Sequence, residues 1–161
     1  MRRIFACSRV VPPKSSLTVP RRELSGILLG IKKVVELAEL LEIAKDKVFL
    51  HTDSTICMFW LEKDSGDLSV FVSNRVKEIQ NLMESRGIKI FHTDSLDNPS
   101  DNCSKAKSAK HYINNELWEH GPRYMRHENW EIGRSIQEIR EKNFHLLPKN
   151  KKLKKKYGRK V

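Results

Sequence analysis

The chain has 161 residues and carries 31 Lys and Arg against 20 Asp and Glu, a net charge of +11. Seven Lys and one Arg, with no acid, fall in Lys149 to Val161, which leaves only +3 for the rest. That length and 39% apolar content suit one soluble globular body with a basic tail, and several classes drop out. Apolar runs such as Ile27-Leu28-Leu29 fall far short of the roughly 20 residues that span a bilayer. Met1-Arg2-Arg3 is followed too soon by charge for a secretory signal. Cys7, Cys57 and Cys103 are odd in number and widely spaced, which argues for reduced thiols rather than a disulfide framework or a zinc site.

In chain order, Arg3 to Val11 alternates and is rich in β-formers, so it reads as a strand. Pro12 to Ser16 is a loop. Leu24, Ile27, Leu28, Ile31, Val34 and Ala38 then recur at helical spacing, which predicts an amphipathic helix from about Pro20 to Ile43. Thr18 is its expected N-cap, and Gly26 and Gly30 on it permit close approach to a sheet. Lys47 to Thr52 reads as a buried strand running into a helix start at Asp53-Ser54-Thr55. Val70 to Arg86 is a second amphipathic helix stopped by Gly87, and Ile88 to His92 a further strand. A helix is expected from the Asp97–Asp101 turn to about Ile113, a packed loop over Leu117 to Pro122, and a short helix over Ile132 to Asn143. Lys149 to Val161 has nothing to bury and reads as disordered. The alternation of strands and helices gives an α/β fold class.

Three acids occupy informative positions in that order. Glu23 is placed in the first turn of the long helix, Asp53 at the C-terminal end of a strand, and Asp101 in the first turn of the helix after the next strand. In an α/β layer such positions share one edge of the sheet. Carboxylates gathered there repel unless a cation neutralises them, and oxygen-rich sites suit Mg²⁺, which keeps waters and engages phosphate oxygens. A pair of such ions about 3.5–4 Å apart cleaves phosphodiesters. Each acid also has an ordinary explanation: Glu23 as a partner of the helix dipole, Asp53 and Asp101 as helix-start residues, His92 as a solvent-contacting strand end. Spacing alone does not choose between these readings.

Several runs add a resemblance. Ser8 to Lys14, Thr18-Val19-Pro20-Arg21-Arg22-Glu23-Leu24, Thr52 to Thr55, Phe71 to Ile79, Asp97 to Asp101 and Leu117-Trp118-Glu119-His120-Gly121-Pro122 appear in order. Together they resemble the ribonuclease H region of Pao/BEL-type LTR retrotransposon polyproteins, over Ser8 to Pro122. The resemblance implies a ribonuclease H-like fold and hydrolysis of RNA in an RNA–DNA hybrid with two Mg²⁺ or Mn²⁺ ions. It implies metal-holding roles for Glu23, Asp53 and Asp101, an assisting role for His92, and hybrid contacts from Ser54 and Asn98. The rest of a retroelement polyprotein is an implied partner.

The family's first metal-bridging Asp has no counterpart, because no acid precedes Glu23. The family's sheet order is 3-2-1-4-5, and the chain reads as starting at the third strand. The expectation is therefore an N-terminally truncated, incomplete ribonuclease H-like fold over 1–122, a helical linker over 123–148 and a Lys-rich tail over 149–161. Activity is expected to be weak or absent. A non-catalytic nucleic-acid-binding protein is the alternative, in which Lys151, Lys152, Lys154, Lys155 and Lys156 engage phosphates or act as a nuclear import signal. Either reading places the chain inside the cell, in cytoplasm or nucleus, away from membranes.

Overall fold

A computed structural model of the chain describes residues 4–11, 16–104 and 107–126. The expected helix over Ile132 to Asn143, the linker beyond residue 126 and the Lys-rich tail lie outside the described residues.

The long helix α1 spans Val19–Leu40, with Thr18 in extended conformation before it and Pro20 in its first turn, where a missing N–H costs nothing. Its last turn closes with Ile43 N–H on the Ala38 carbonyl while Glu42 takes the left-handed conformation. Strand β1, Phe49–Thr52, follows, then the short helix α2, Thr55–Leu61, and helix α3, Val70–Arg86. Gly87, at φ 63°, ends α3 in the left-handed region, where an added Cβ is strained; this lets Ile88 N–H reach back to the Met83 carbonyl. Strand β2, Lys89–His92, comes next.

β1 and β2 pair in parallel, Leu50 opposite Ile90 and Thr52 opposite His92, and Thr93 N–H extends the ladder to the Thr52 carbonyl. A parallel pair needs a crossover, and α2 with α3 supplies it. The crossover brings α3 alongside α1 in the same direction, joined by Lys32–Glu78 and Arg86–Glu39 ion pairs.

The core lies between these helices and one face of the sheet. Leu24, Ile27 and Ile31 from α1 meet Val72, Val76 and Ile79 from α3, with Cys57 of α2 and Val48 and Ile88 ahead of the strands. Leu50 and Ile90 pack against it. Gly30 is where α1 comes close to β1, since a Cβ there would meet Leu50 Cδ1 at 3.7 Å; Gly26 faces open space and serves no such approach. On the other sheet face Phe91 touches the rings of Phe49 and His51, and Tyr124 covers His51.

The mixed fold is compatible with the α/β class, but several expectations need correction. Residues 4–11 form no strand, and residues 4–10 are exposed. A strand needs a partner's N–H and C=O groups, and β1 accepts only β2 among the described residues. The helix expected from Asp97 to Ile113 is broken into α4, Asp101–Ser104, and α5, Ala109–Tyr112. The expected loop at Leu117 is a short helix α6, Glu116–His120, begun by Asn115, whose Oδ1 accepts from Trp118 N–H. Among the described residues no helix is long and apolar enough to cross a membrane.

Truncating the helix–helix core should destabilise the chain strongly. Leu24→Ala and Ile79→Ala, both at 0% exposure, are each expected to cost about 2–5 kcal/mol in denaturant unfolding. Leu96→Ala, at 91% exposure, should stay within about 0.5 kcal/mol.

Candidate functional site

The C-terminal ends of both strands and the N-termini of α1, α2 and α3 meet at one edge of the sheet. The meeting point is Ser54. Its Oγ–H donates to Glu23 Oε2 at 2.6 Å, and the same Oγ accepts from Cys57 N–H at 3.3 Å, so it caps α2. Its own N–H donates to Thr52 Oγ1 at 3.2 Å. A second link binds α2 to the first turn of α1: the Cys57 thiol donates to the Pro20 carbonyl at 3.4 Å.

Glu23 is therefore held next to the β1 terminus, but for a different reason than the helix dipole. With α1 starting at Val19 it lies beyond the first turn, where the dipole's effect has faded. Asp53 is half-buried, and its Oδ2 accepts from Ser95 Oγ–H at 3.0 Å across the two strand ends. It is not the α2 cap, since Ser54 fills that position.

Both carboxylates act on Cys57. Burial is the main cause raising its thiol from 9.0 to about 11; the Ser54 hydrogen bond opposes this, and the charges of Glu23 and Asp53 add to the rise. Glu23 is thus bonded to the residue that directly follows Asp53.

Asp101 does not join them in a shared ligand set. It is half-buried at the start of α4, its N–H on the Asn98 carbonyl. Among the described residues no group of three or more His, Cys, Asp or Glu side chains is arranged to hold a metal ion. The implied two-ion site therefore lacks a third ligand among the described residues; Glu23 and Asp53 each accept a serine hydroxyl on one oxygen and keep the other.

The remaining expected residues divide similarly. His92 ends β2 at 9% exposure, so it is a buried strand end rather than a solvent-contacting one. Ser54, at 6% exposure with its hydroxyl engaged on both sides, is a fastener of the rim and not a surface free for a hybrid. Asn98 Oδ1 accepts from Ser100 N–H, which shapes the turn before α4. Lys151, Lys152, Lys154, Lys155 and Lys156 lie outside the described residues.

Sequence reasoning missed the other side of this rim. Tyr124 Oη lies 3.1 Å from Thr93 Oγ1, and burial first, then the charges of Asp97 and Asp94, raise its phenol above the usual value. Burial likewise lowers the imidazole of His51, whose two ring nitrogens meet no partner among the described residues. Arg75 and Arg21 converge on the ring of Phe71. The signals were present as Phe71 and Arg75 four apart on α3 and as the Arg21-Arg22 pair ahead of Glu23.

Residues 1–54 match the family model described as Pao retrotransposon-like RNaseH-like domain, about a third of the chain. The matched segment contains Glu23, Asp53 and Ser54, and it supports a Pao/BEL retrotransposon ribonuclease H region. No curated protein and no solved structure matches the chain.

The thiols test this geometry. Cys7 is exposed and should be alkylated readily at pH 8, whereas buried Cys57 should be modified only on unfolding, as read by peptide mapping. Because the folded Cys57 holds its proton above the unfolded value, its contribution to stability is complete below about pH 9 and declines as pH rises toward 11. A Cys57→Ala variant should lose that part of the alkaline decline.

Proposed function

We propose that this ribonuclease H-related chain binds RNA–DNA hybrid at the strand-end rim, and that the inherited hydrolysis is weak or lost in the arrangement seen. The observation that carries the reading is the pairing of Glu23 with the Ser54 hydroxyl at 2.6 Å, with Asp53 held separately by Ser95. Ribonuclease H-like domains usually work with divalent metals, and two-metal cleavage needs carboxylates that converge on shared ions. Here Glu23 and Asp53 each give one oxygen to a serine, and no third acid joins them in a metal-holding group among the described residues. A nucleic-acid partner also agrees with the net charge of +11, most of which lies in the tail that the second reading assigns to phosphate contacts. Action inside the cell, in cytoplasm or nucleus, follows from this reading, as does an origin within a retroelement polyprotein.

A labelled RNA–DNA hybrid separates binding from cutting. The full chain should shift the hybrid in a salt-dependent way. In Mn²⁺ or Mg²⁺ it should cleave no faster than the Asp53→Asn variant. Robust cleavage that Asp53→Asn and Glu23→Gln abolish would establish the hydrolytic reading instead. Lack of any salt-dependent binding would remove both.

A further inference from the structure

At the same end of the molecule, α1 and α3 bring two arginines to one aromatic ring. The guanidinium of Arg75 lies 3.5 Å from the Phe71 ring centroid, and that of Arg21 lies 5.7 Å from it. Arg75 is fixed further by donating from Nε to Ser25 Oγ at 3.3 Å and from Nη1 to the Phe71 carbonyl at 3.0 Å. Arg21 Nη2 reaches Ser69 Oγ at 3.5 Å, ahead of α3. Arg22 is exposed in the same turn of α1.

These two arginines share one aromatic ring without a counter-charge among the described residues. Farther along the same two helices Lys32 pairs with Glu78 and Arg86 with Glu39. Among the described residues neither Arg21 nor Arg75 forms an ion pair; their partners are hydroxyls, a carbonyl and a ring. Glu23, the acid nearest Arg21 in sequence, has one oxygen turned to Ser54, and Glu78, the acid nearest Arg75, pairs with Lys32. A cation–π contact contributes about 0.5–1 kcal/mol at exposed sites, and two like charges on one ring repel each other. An anion between them removes the repulsion. Guanidinium forks held flat by an aromatic surface are suited to phosphate, because less side-chain freedom remains to be lost on binding.

We infer that Arg21 and Arg75, held by Phe71, form a phosphate clamp that seats the backbone of a nucleic-acid strand beside the Glu23–Asp53 rim. The assignment rests on the nucleic-acid reading above, and Arg21 lies two residues from Glu23. The clamp is separate from the basic tail and contributes affinity of its own.

Fluorescence anisotropy of a labelled hybrid across a salt series tests it in the full chain. Arg21→Gln/Arg75→Gln should weaken binding and reduce the slope of log affinity against log salt by about 1 to 2, as loss of one or two phosphate contacts requires. Lys63→Gln/Lys77→Gln removes the same charge from exposed positions and should leave the slope unchanged. Thermal melting verifies folding. If the double variant melts early, Arg21→Gln alone decides the matter, because among the described residues its one side-chain hydrogen bond is the 3.5 Å one to Ser69. A wild-type slope in the arginine variants overturns the clamp while hybrid binding stands. Failure of the wild-type chain to bind overturns the functional reading and the clamp together. Displacement by inorganic phosphate as effective as by unlabelled hybrid, at equal phosphate and ionic strength, would make this a free-phosphate site and overturn the backbone assignment.

Discussion

The hydrogen bond from Ser54 to Glu23 is the constraint on which the rest of the rim depends. A hydroxyl donating to a carboxylate at 2.6 Å is a short, charge-assisted contact. The serine that makes it also begins α2 and follows the last residues of β1, so one side chain joins a strand end, a short helix and the long helix α1. Cys57 adds a parallel link to the Pro20 carbonyl, under the influence of the same two carboxylates. With those joints in place, the direction of α1 relative to the sheet is fixed, and α3 packs beside it through Val72, Val76 and Ile79.

This constraint has a chemical consequence. It holds Glu23 beside the residue that follows Asp53, and each of these acids gives one oxygen to a serine, Glu23 to Ser54 and Asp53 to Ser95. On the helix side of the same edge the charge is positive, with Arg21 and Arg75 gathered on Phe71. The proposed nucleic-acid strand would meet these guanidiniums beside carboxylates that each accept a serine hydroxyl on one oxygen. Residues 1–54, which match the model of a Pao retrotransposon-like RNaseH-like domain, supply Glu23, Asp53 and Ser54 to this edge.

The parts legible in the sequence are those governed by local patterns. α1 and α3 showed in the spacing of their apolar residues, and Gly87 marked the end of α3 because its backbone lies in the left-handed region. Asp53 at a strand end and Glu23 on the long helix were found from element order. The illegible parts depend on partners distant in sequence. Residues 4–11 have strand-like alternation, yet alternation supplies no neighbour to bond with. The pattern from the Asp97–Asp101 turn to Ile113 suits one helix, but α4 and α5 are single turns, too short to be stabilised by propensity and held instead by Tyr112 Oη on the Asn102 carbonyl. No periodicity could announce that Ser54 would spend its hydroxyl on Glu23, 31 positions away.

A double-mutant cycle with Glu23→Gln, Ser54→Ala and the pair, followed by denaturant unfolding, tests that joint most directly. Loss of the α2 cap enters both Ser54 arms and cancels, leaving the energy between the two side chains. The account predicts coupling of about 1 kcal/mol or more, as for a hydrogen bond to a charged group with some solvent exposure. Additivity of the two substitutions to within about 0.3 kcal/mol would contradict it.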